Sequence, residues 1–569
     1  MTTLGLAAGA LLVVGYWLYR AMIPKPIPGI PYHKPSGSRM FGDVPDAMAW
    51  NMRTREMVSF LQFRCTELNT PICQVFVRPF KNPWVVICDA QESVDIMARR
   101  VREFDRSDFF GDLFTAHIPH NQVGMKTTDE WRAHRRLMAD TMAPDFLNNV
   151  AAEQLYIGTH DILELWTEKM RLAAGRPFDA EQDIYQGLLD AIWATAFGQT
   201  IGTTRAQIDL LSNVNKVEGS EDIDSAAIFP KAKNPAAFDA LITLTHSSEI
   251  PMNSPLPRLH YRFALKFYPK LSKAFKLKDA LIAENTEAAA KRLTQQEKPS
   301  DDHIKCAVDL MVHRESKMAE KEGRAPQYHS PSISDELYGF VIAGHETSST
   351  TICWGLKYLT TNTEAQRKLR AALRKAFPRA ADAGIEPSAK ELAKAHIPYL
   401  DAFIEETLRM GCTTPANSRT STVDTEILGY HIPKGTDIFM LTTGPSYRMA
   451  PFKIENSRRS TSSVMSEDKI GNWDKQDIGE FKPERWLVTR ENGEVEFNLR
   501  AGPINTFGGG LRGCFGKKLA YVTLRLVFAL IVWKFELEPT PPELSTYAGR
   551  DVLTHAPQQV YLRLAEPKA

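Results

Sequence analysis

Residues 507–516 read Phe507-Gly508-Gly509-Gly510-Leu511-Arg512-Gly513-Cys514-Phe515-Gly516, a glycine-rich turn carrying one cysteine. An arginine stands two residues before the cysteine, and a long apolar helical period follows directly. A thiolate that binds a metal in a dry interior needs such surroundings. Glycines let the backbone fold under a flat ligand, and the N-terminus of the following helix favours negative charge on sulfur. The other cysteines, Cys65, Cys73, Cys88, Cys306, Cys353 and Cys412, are scattered and lack CxxC spacing. That pattern argues against a disulfide framework or a zinc site and suits a reducing compartment.

Working outward, helical periods dominate the chain, at 145–175, 181–199, 270–295, 333–360, 363–376 and 515–533, with another over 47–69. Residues 73–78 and 84–88 read as a β-hairpin with its turn near 80–83, and short strand signals return near 416–428 and 534–562. The predicted fold class is therefore mainly α with a minor β part. The 569 residues are 43% hydrophobic, enough for a large core, and 69 basic against 68 acidic residues give a net charge of +1. That balance removes any general argument for nucleic-acid binding.

Two segments read as surface elaborations. Residues 213–268 mix charge, proline and apolar patches, which fits an irregular loop or a mobile substrate-entry lid touching a membrane. Residues 454–477 are rich in Ser, Arg, Lys and Asp and poor in apolar residues, the pattern of a solvated, partly disordered insertion without chemistry.

Residues 4–19 are uncharged and apolar apart from glycines, and the run extends to Ile23 if Arg20 snorkels. Twenty residues at about 1.5 Å each span roughly 30 Å, so 1–23 is expected to be a transmembrane anchor. No basic residue precedes the run and no small-x-small site follows it, which disfavours a cleaved signal peptide. Arg20, Lys25, Lys34 and Arg39 all follow the run, placing the body in the cytosol. A proline-rich hinge at 24–46 then leads to a catalytic domain at 47–569.

The spacing F-x-x-G-x-R-x-C-x-G resembles the haem-binding loop of the cytochrome P-450 superfamily, the haem-thiolate monooxygenases of the eukaryotic microsomal type. Further motifs extend the resemblance over nearly the whole chain after the anchor. Trp131-Arg132-Ala133-His134-Arg135 fits W-x-x-x-R, which in the family contacts a haem propionate. Ala343-Gly344-His345-Glu346-Thr347-Ser348 resembles the oxygen-activation motif A-G-x-[DE]-T-[ST], and Glu406-Thr407-Leu408-Arg409 fits E-x-x-R. Phe481-Lys482-Pro483-Glu484-Arg485-Trp486 follows as the family pattern has it.

The resemblance implies a triangular helical body with a long central helix, small β-sheets and haem b ligated by Cys514. Trp131, Arg135, Arg419 and Arg512 would hold the propionates, with Phe507 and Gly516 in the cofactor loop. Gly344 would open a distorted helical turn for dioxygen, and Thr347 and Glu346 would relay protons. Glu406, Arg409 and Arg485 would lock the loop region without entering the chemistry. His345 is expected to be structural. The pocket is expected from 107–122, 213–260, 340–348 and 413–418. One departure is Asn362-Thr363, where the family often has His-Pro.

On this reading the chain is a membrane-bound monooxygenase that hydroxylates, epoxidises or otherwise oxidises a small lipophilic substrate, possible classes being secondary metabolites and lipids. Electrons come from NADPH through a separate NADPH-cytochrome P-450 reductase, with cytochrome b5 as a further donor. The implied location is the endoplasmic reticulum membrane, and the implied state a monomer. A reductase-independent isomerase or dehydratase acting on a peroxide, and a non-enzymatic haem carrier or sensor, are the other classes.

Overall fold

The computed structural model describes residues 2–78, 81–217, 222–252, 254, 256–295 and 304–567. The longest helix, Pro331–Thr361, runs through the core, with Leu337, Ile352, Cys353, Leu356 and Leu359 fully buried. It starts two residues before the expected 333, because Ser330 accepts from the Ile333 amide and Pro331 occupies the first helical position. The helix Glu181–Phe197 lies against it. Gly344 faces this neighbour: a Cβ there would meet Ile192 Cγ2 at 3.1 Å. The helix runs without a break through Gly344, where the resemblance implies a distorted turn.

The predicted helices at 181–199, 270–295 and 363–376 appear as Glu181–Phe197, Pro269–Thr294 and Thr363–Ala376. The one expected over 47–69 is two helices, Val44–Thr54 and Met57–Glu67, parted at Arg55, whose φ of 64° is left-handed.

The five-stranded sheet runs in the order Ile72–Val75, Trp84–Ile87, Asp437–Leu441, Ala416–Ser421, Phe104–Arg106. The first two strands pair antiparallel, as the hairpin reading requires; the expected turn at Phe80 lies outside the described residues. Its consequence for the site lies at the far edge, where Arg106 stands opposite Arg419 in an antiparallel register. Like charges directly opposite on a sheet repel, so this pair needs a counter-anion.

The 213–268 segment contains the helices Ala236–His246 and Pro257–Phe267, so the irregular-loop reading is corrected. The second packs on the helix Asp108–His117. There His117 Nδ1 meets the Tyr261 hydroxyl at 2.5 Å, Ser247 Oγ lies 3.0 Å from the same hydroxyl, and Tyr338 of the central helix reaches His117 Nε2 at 3.3 Å.

The 454–477 segment is not the solvated insertion its composition suggests. Arg459 grips Asp89 with two hydrogen bonds of 2.6 and 2.9 Å, and Ser460 and Ser462 donate to Asp95 at 2.7 and 2.9 Å. Trp473 is buried edge-on against Trp486, with ring centroids 4.7 Å apart. Arg459 thereby ties the segment to the N-cap of the helix Ala90–Ala98, while Arg458 donates to Leu428 O and Asp477 pairs with Lys482 and Arg485.

Among the described residues, no helix is long and apolar enough to cross a membrane. The N-terminal segment does form a helix, Thr2–Met22, but the expected transmembrane span is not supported.

Candidate active site

Cys514 sits between a short 3-10 turn, Gly510–Arg512, and the helix Lys517–Lys534, which begins two residues later than the period suggests. The turn depends on glycine at two places. Gly508 and Gly510 have φ of 62° and 63°, and a Cβ on Gly510 would lie 2.2 Å from the Met97 carbonyl oxygen of the helix Ala90–Ala98. The Cys514 amide donates to Phe507 O at 2.8 Å, closing the loop. Six of the seven cysteines are buried, whereas Cys514 faces a cavity of about 320 Å³.

Burial pushes the Cys514 thiol pKa up, while the Gly516 and Lys517 amides and the charges of Arg135 and Lys517 pull it down. Those amides are the unpaired donors of the first helical turn, aimed at sulfur.

Arginines crowd one end of the cavity. Arg106, Arg135, Arg419 and Arg512 all line it. Burial and the nearby Arg512 and Arg419 push the Arg106 pKa well below its ordinary value; burial likewise brings Arg419 and Arg512 down to about 10. Arg106 Nε, Arg419 Nη2 and both Nε and Nη1 of Arg512 are buried without a hydrogen-bond partner. Their nearest counter-charge is Asp105, which attracts both Arg419 and Arg512. Four guanidiniums with four orphaned nitrogens fit a multiply anionic ligand, and the two propionates of a haem supply such charge.

Aromatic faces steady the cluster. The Arg512 guanidinium lies 4.5 Å over the Trp131 ring, and that of Arg135 lies 4.6 Å over Phe515. The helix carrying Trp131 and Arg135, Asp129–Leu137, is capped by Thr128 and tied to the central helix through Glu336. Glu336 accepts from His134 Nδ1 and the Gln122 amide, both at 2.7 Å, and from Asn121 Nδ2 at 3.1 Å.

On the central-helix wall, Gly344 and Thr347 line the cavity. Thr347 Oγ1 donates to Ala343 O at 2.7 Å, and His345 Nδ1 lies 3.0 Å from Val341 O, a structural placement. Glu346 points elsewhere. Its Oε1 accepts from Thr554 Oγ1 at 3.5 Å, and its side chain is not part of the cavity wall. Burial pushes its pKa up to about 7.

The structure thus gathers nine of the ten sequence-derived site residues on one cavity: Trp131, Arg135 and Arg419; Phe507, Arg512, Cys514 and Gly516; Gly344 and Thr347. Glu346 is the exception. The wall also draws on Phe110, Asn121, Phe340, Thr413 and Ala416, as expected, but on no described residue of 213–260. Sequence reasoning missed Arg106, whose only signal is its pairing with Arg419, and the site role of Glu336, an acid in the second turn of the central helix whose partners lie more than 200 residues away.

Beneath the cysteine loop, Glu406 and Arg409 are fully buried and joined by bonds of 2.8 and 2.7 Å. Arg485 and Trp486 reach the same carboxylate at 3.0 and 2.9 Å. Arg409 also donates to Ile478 O at 2.7 Å, at the end of the 454–477 segment.

A cysteine loop beside a helix N-terminus, an arginine cluster shaped for two carboxylates and a threonine-bearing core helix together define a haem-thiolate protein. The cytochrome P450 family model matches residues 47–453 and 477–562, and the chain belongs to that family. It is similar to cytochrome P450 monooxygenase GME11363 of Pestalotiopsis microspora, 41% identical over 99% of this chain and 98% of the relative. It also resembles cytochrome P450 monooxygenase TRI13 of Fusarium sporotrichioides, 36% identical over 97% of both chains. A third relative, cytochrome P450 monooxygenase xilC of Penicillium rubens, is 32% identical over 97% of this chain and 95% of its own length. The enzyme is a cytochrome P450 monooxygenase, and the family implies a haem-thiolate cofactor with a substrate and dioxygen. The family match stops at 453 and resumes at 477, bracketing the segment that grips the helix Ala90–Ala98.

Proposed function

We propose that this chain oxidises a small, neutral, lipophilic substrate, drawing electrons from NADPH through a separate reductase, with cytochrome b5 as a further donor. The observation that carries the reading is one cavity bordered by both Cys514 and the Gly344–Thr347 turn. Bound haem supplies the redox and oxygen-activating chemistry. The residues do the rest. Cys514 ligates the iron, with its negative charge met by the Gly516 and Lys517 amides. Arg106, Arg135, Arg419 and Arg512 orient the macrocycle through its carboxylates. Thr347 holds a hydroxyl at the cavity wall for hydrogen bonding and proton delivery, and Glu346 is the acid behind it.

The substrate wall supports the neutral class. Phe110, Phe340, Ala343 and Ala416 are apolar, and Thr347, Thr413 and Thr414 are uncharged. A secondary metabolite or a lipid fits such a surface.

The enzyme works as a monomer at the endoplasmic reticulum membrane, held at the surface rather than by a demonstrated span. Leu259, Phe263 and Phe267 project from the helix Pro257–Phe267 at 65%, 50% and 54% exposure, with Arg258, Arg262 and Lys266 beside them. An exposed apolar stripe flanked by basic residues suits an anionic lipid interface. Leu11, Leu12 and Trp17 of the N-terminal helix are exposed too.

The deciding experiment is Cys514→Ser in the full-length protein. Its reduced carbon monoxide complex should lose the thiolate-type Soret band; retention of that band would overturn the ligand assignment.

A further inference from the structure

Behind the cavity wall lies a run of hydroxyls that the site itself does not use. Thr554 Oγ1 bonds Glu346 Oε1 at 3.5 Å and Thr350 Oγ1 at 2.7 Å, and Thr350 Oγ1 bonds the Tyr185 hydroxyl at 2.7 Å. The members come from three separate elements. Glu346 and Thr350 sit one turn apart on the central helix, Thr554 comes from the turn between strands Gly549–Asp551 and His555–Pro557, and Tyr185 comes from the helix Glu181–Phe197. Glu346, Thr350 and Thr554 are buried and Tyr185 is half-buried.

Satisfaction alone does not require this arrangement. Threonines inside a helix satisfy themselves on the carbonyl four residues back, as Thr347 does on Ala343 O and Thr351 on Thr347 O. Thr350, fully buried, instead shares its hydroxyl with two others from distant parts of the chain. A hydroxyl both donates and accepts, so consecutive hydroxyls can pass a proton by accepting one and releasing another.

We propose that Thr554, Thr350 and Tyr185 are the proton supply of Glu346, leading inward from the side of Glu181 and Arg550. The inference rests on the proposed role of Glu346 as the acid behind Thr347. Glu346 gives one proton toward the cavity, turning its side chain to do so, and its carboxylate takes the Thr554 proton. Thr554 takes that of Thr350, and Thr350 takes that of Tyr185. Tyr185 regains one from water at the half-buried Glu181–Arg550 ion pair, one turn before it on its own helix. One proton enters, one leaves, and no electron moves.

The surrounding charges are compatible with this direction. His345 Nε2 lies 3.7 Å from the Glu346 carboxylate, but burial takes His345 down to about 4, leaving it neutral near pH 7. The other facing groups are Glu181, which raises the Glu346 pKa, Arg550, which lowers it, and the buried Cys353 thiol. Burial outweighs them and brings Glu346 to about 7, where an acid both holds and releases its proton.

The test uses full-length holoenzyme with NADPH and its reductase, without added substrate. Oxygen consumption is compared in water and deuterium oxide for wild type, Thr554→Val, Thr554→Ser, Tyr185→Phe and Glu346→Gln. Intact carbon monoxide spectra establish that each variant is folded. Thr554→Val and Tyr185→Phe should consume oxygen about tenfold more slowly with a larger solvent isotope effect, and Thr554→Ser should restore both. Infrared titration of the carboxyl band lost in Glu346→Gln gives a second readout. Thr554→Val should move its midpoint upward, because the hydrogen bond that stabilises the carboxylate is gone. Wild-type rates and isotope effects in Thr554→Val and Tyr185→Phe would overturn the supply route while leaving Glu346 as the acid. A wild-type rate in Glu346→Gln would instead remove the acid role on which the route rests.

Discussion

Below the cysteine loop, the Glu406 carboxylate receives bonds from Arg409, Arg485, Trp486 and the Lys482 amide, all within 3.0 Å. Across the molecule, the helices Asp108–His117 and Pro257–Phe267 meet through His117, Tyr261 and Ser247, and leave leucine and phenylalanine side chains in solvent. The first region is fixed by ionic bonds whose loss strands a buried charge. The second is joined by neutral hydroxyl and imidazole contacts and by one exposed ion pair, Arg258–Asp112 at 3.3 Å, which solvent screens and which can be broken and remade at low cost. The cysteine loop that would hold the haem lies over the rigid region, and the side of the molecule with the exposed apolar stripe is the adaptable one.

The sharpest way to break that contrast is Arg409→Met. It leaves a fully buried Glu406 without its closest cation, and a loss of about 3–5 kcal/mol is expected in denaturant unfolding, with little haem retained. A change under about 1 kcal/mol would mean that the network merely decorates the fold.

Arg459→Ala probes whether the 454–477 segment belongs to the rigid region. Asp89 would lose both guanidinium bonds, costing about 2 kcal/mol by thermal or urea unfolding. A truly solvated insertion would show no change.

Acidity sharpens the contrast further. Burial pushes both Glu92, under the same segment, and Glu405, bonded by the Tyr521 hydroxyl, up from 4.5 to about 7. A carboxyl with a raised folded pKa contributes stability that is complete below about pH 4.5 and lost as pH rises through about 7. Glu405→Gln should therefore flatten the fall in stability between those values, measured as unfolding midpoint against pH. An unchanged slope would show that Glu405 does not titrate there.

The smallest effect on stability is expected on the adaptable side. Replacing Leu259 and Phe263 together by serine should change unfolding by less than about 0.5 kcal/mol, because both are exposed. Sedimentation with vesicles containing phosphatidylserine should nonetheless fall clearly relative to wild type. Equal vesicle binding would place the lipid contact elsewhere.

Local chemistry explains what the sequence made legible. The Cys514 loop is written in glycines whose φ no other residue adopts comfortably, and the central helix in a serine cap and a first-position proline. Such signals lie within a few residues of what they determine. Arg106 was illegible because its meaning comes from a strand more than 300 residues away, where Arg419 stands opposite. Glu346 was placed correctly in the motif, yet its carboxylate turns from the cavity toward Thr554, a partner 208 residues on. The 454–477 segment was misread for the same reason: its Arg and Ser residues looked like a solvated run until Asp89 and Asp95 stood opposite them. The apolar N-terminal run gave the helix Thr2–Met22 but not a supported span.

That paired segment also changes where the chain can be cut. Arg458 and Arg459 are spread across Leu428 O and Asp89, so a protease that needs free extended chain finds both arginine sites already occupied. A stretch with the composition of a linker is stitched into the body on both sides, and limited digestion would pass over its arginines to begin elsewhere.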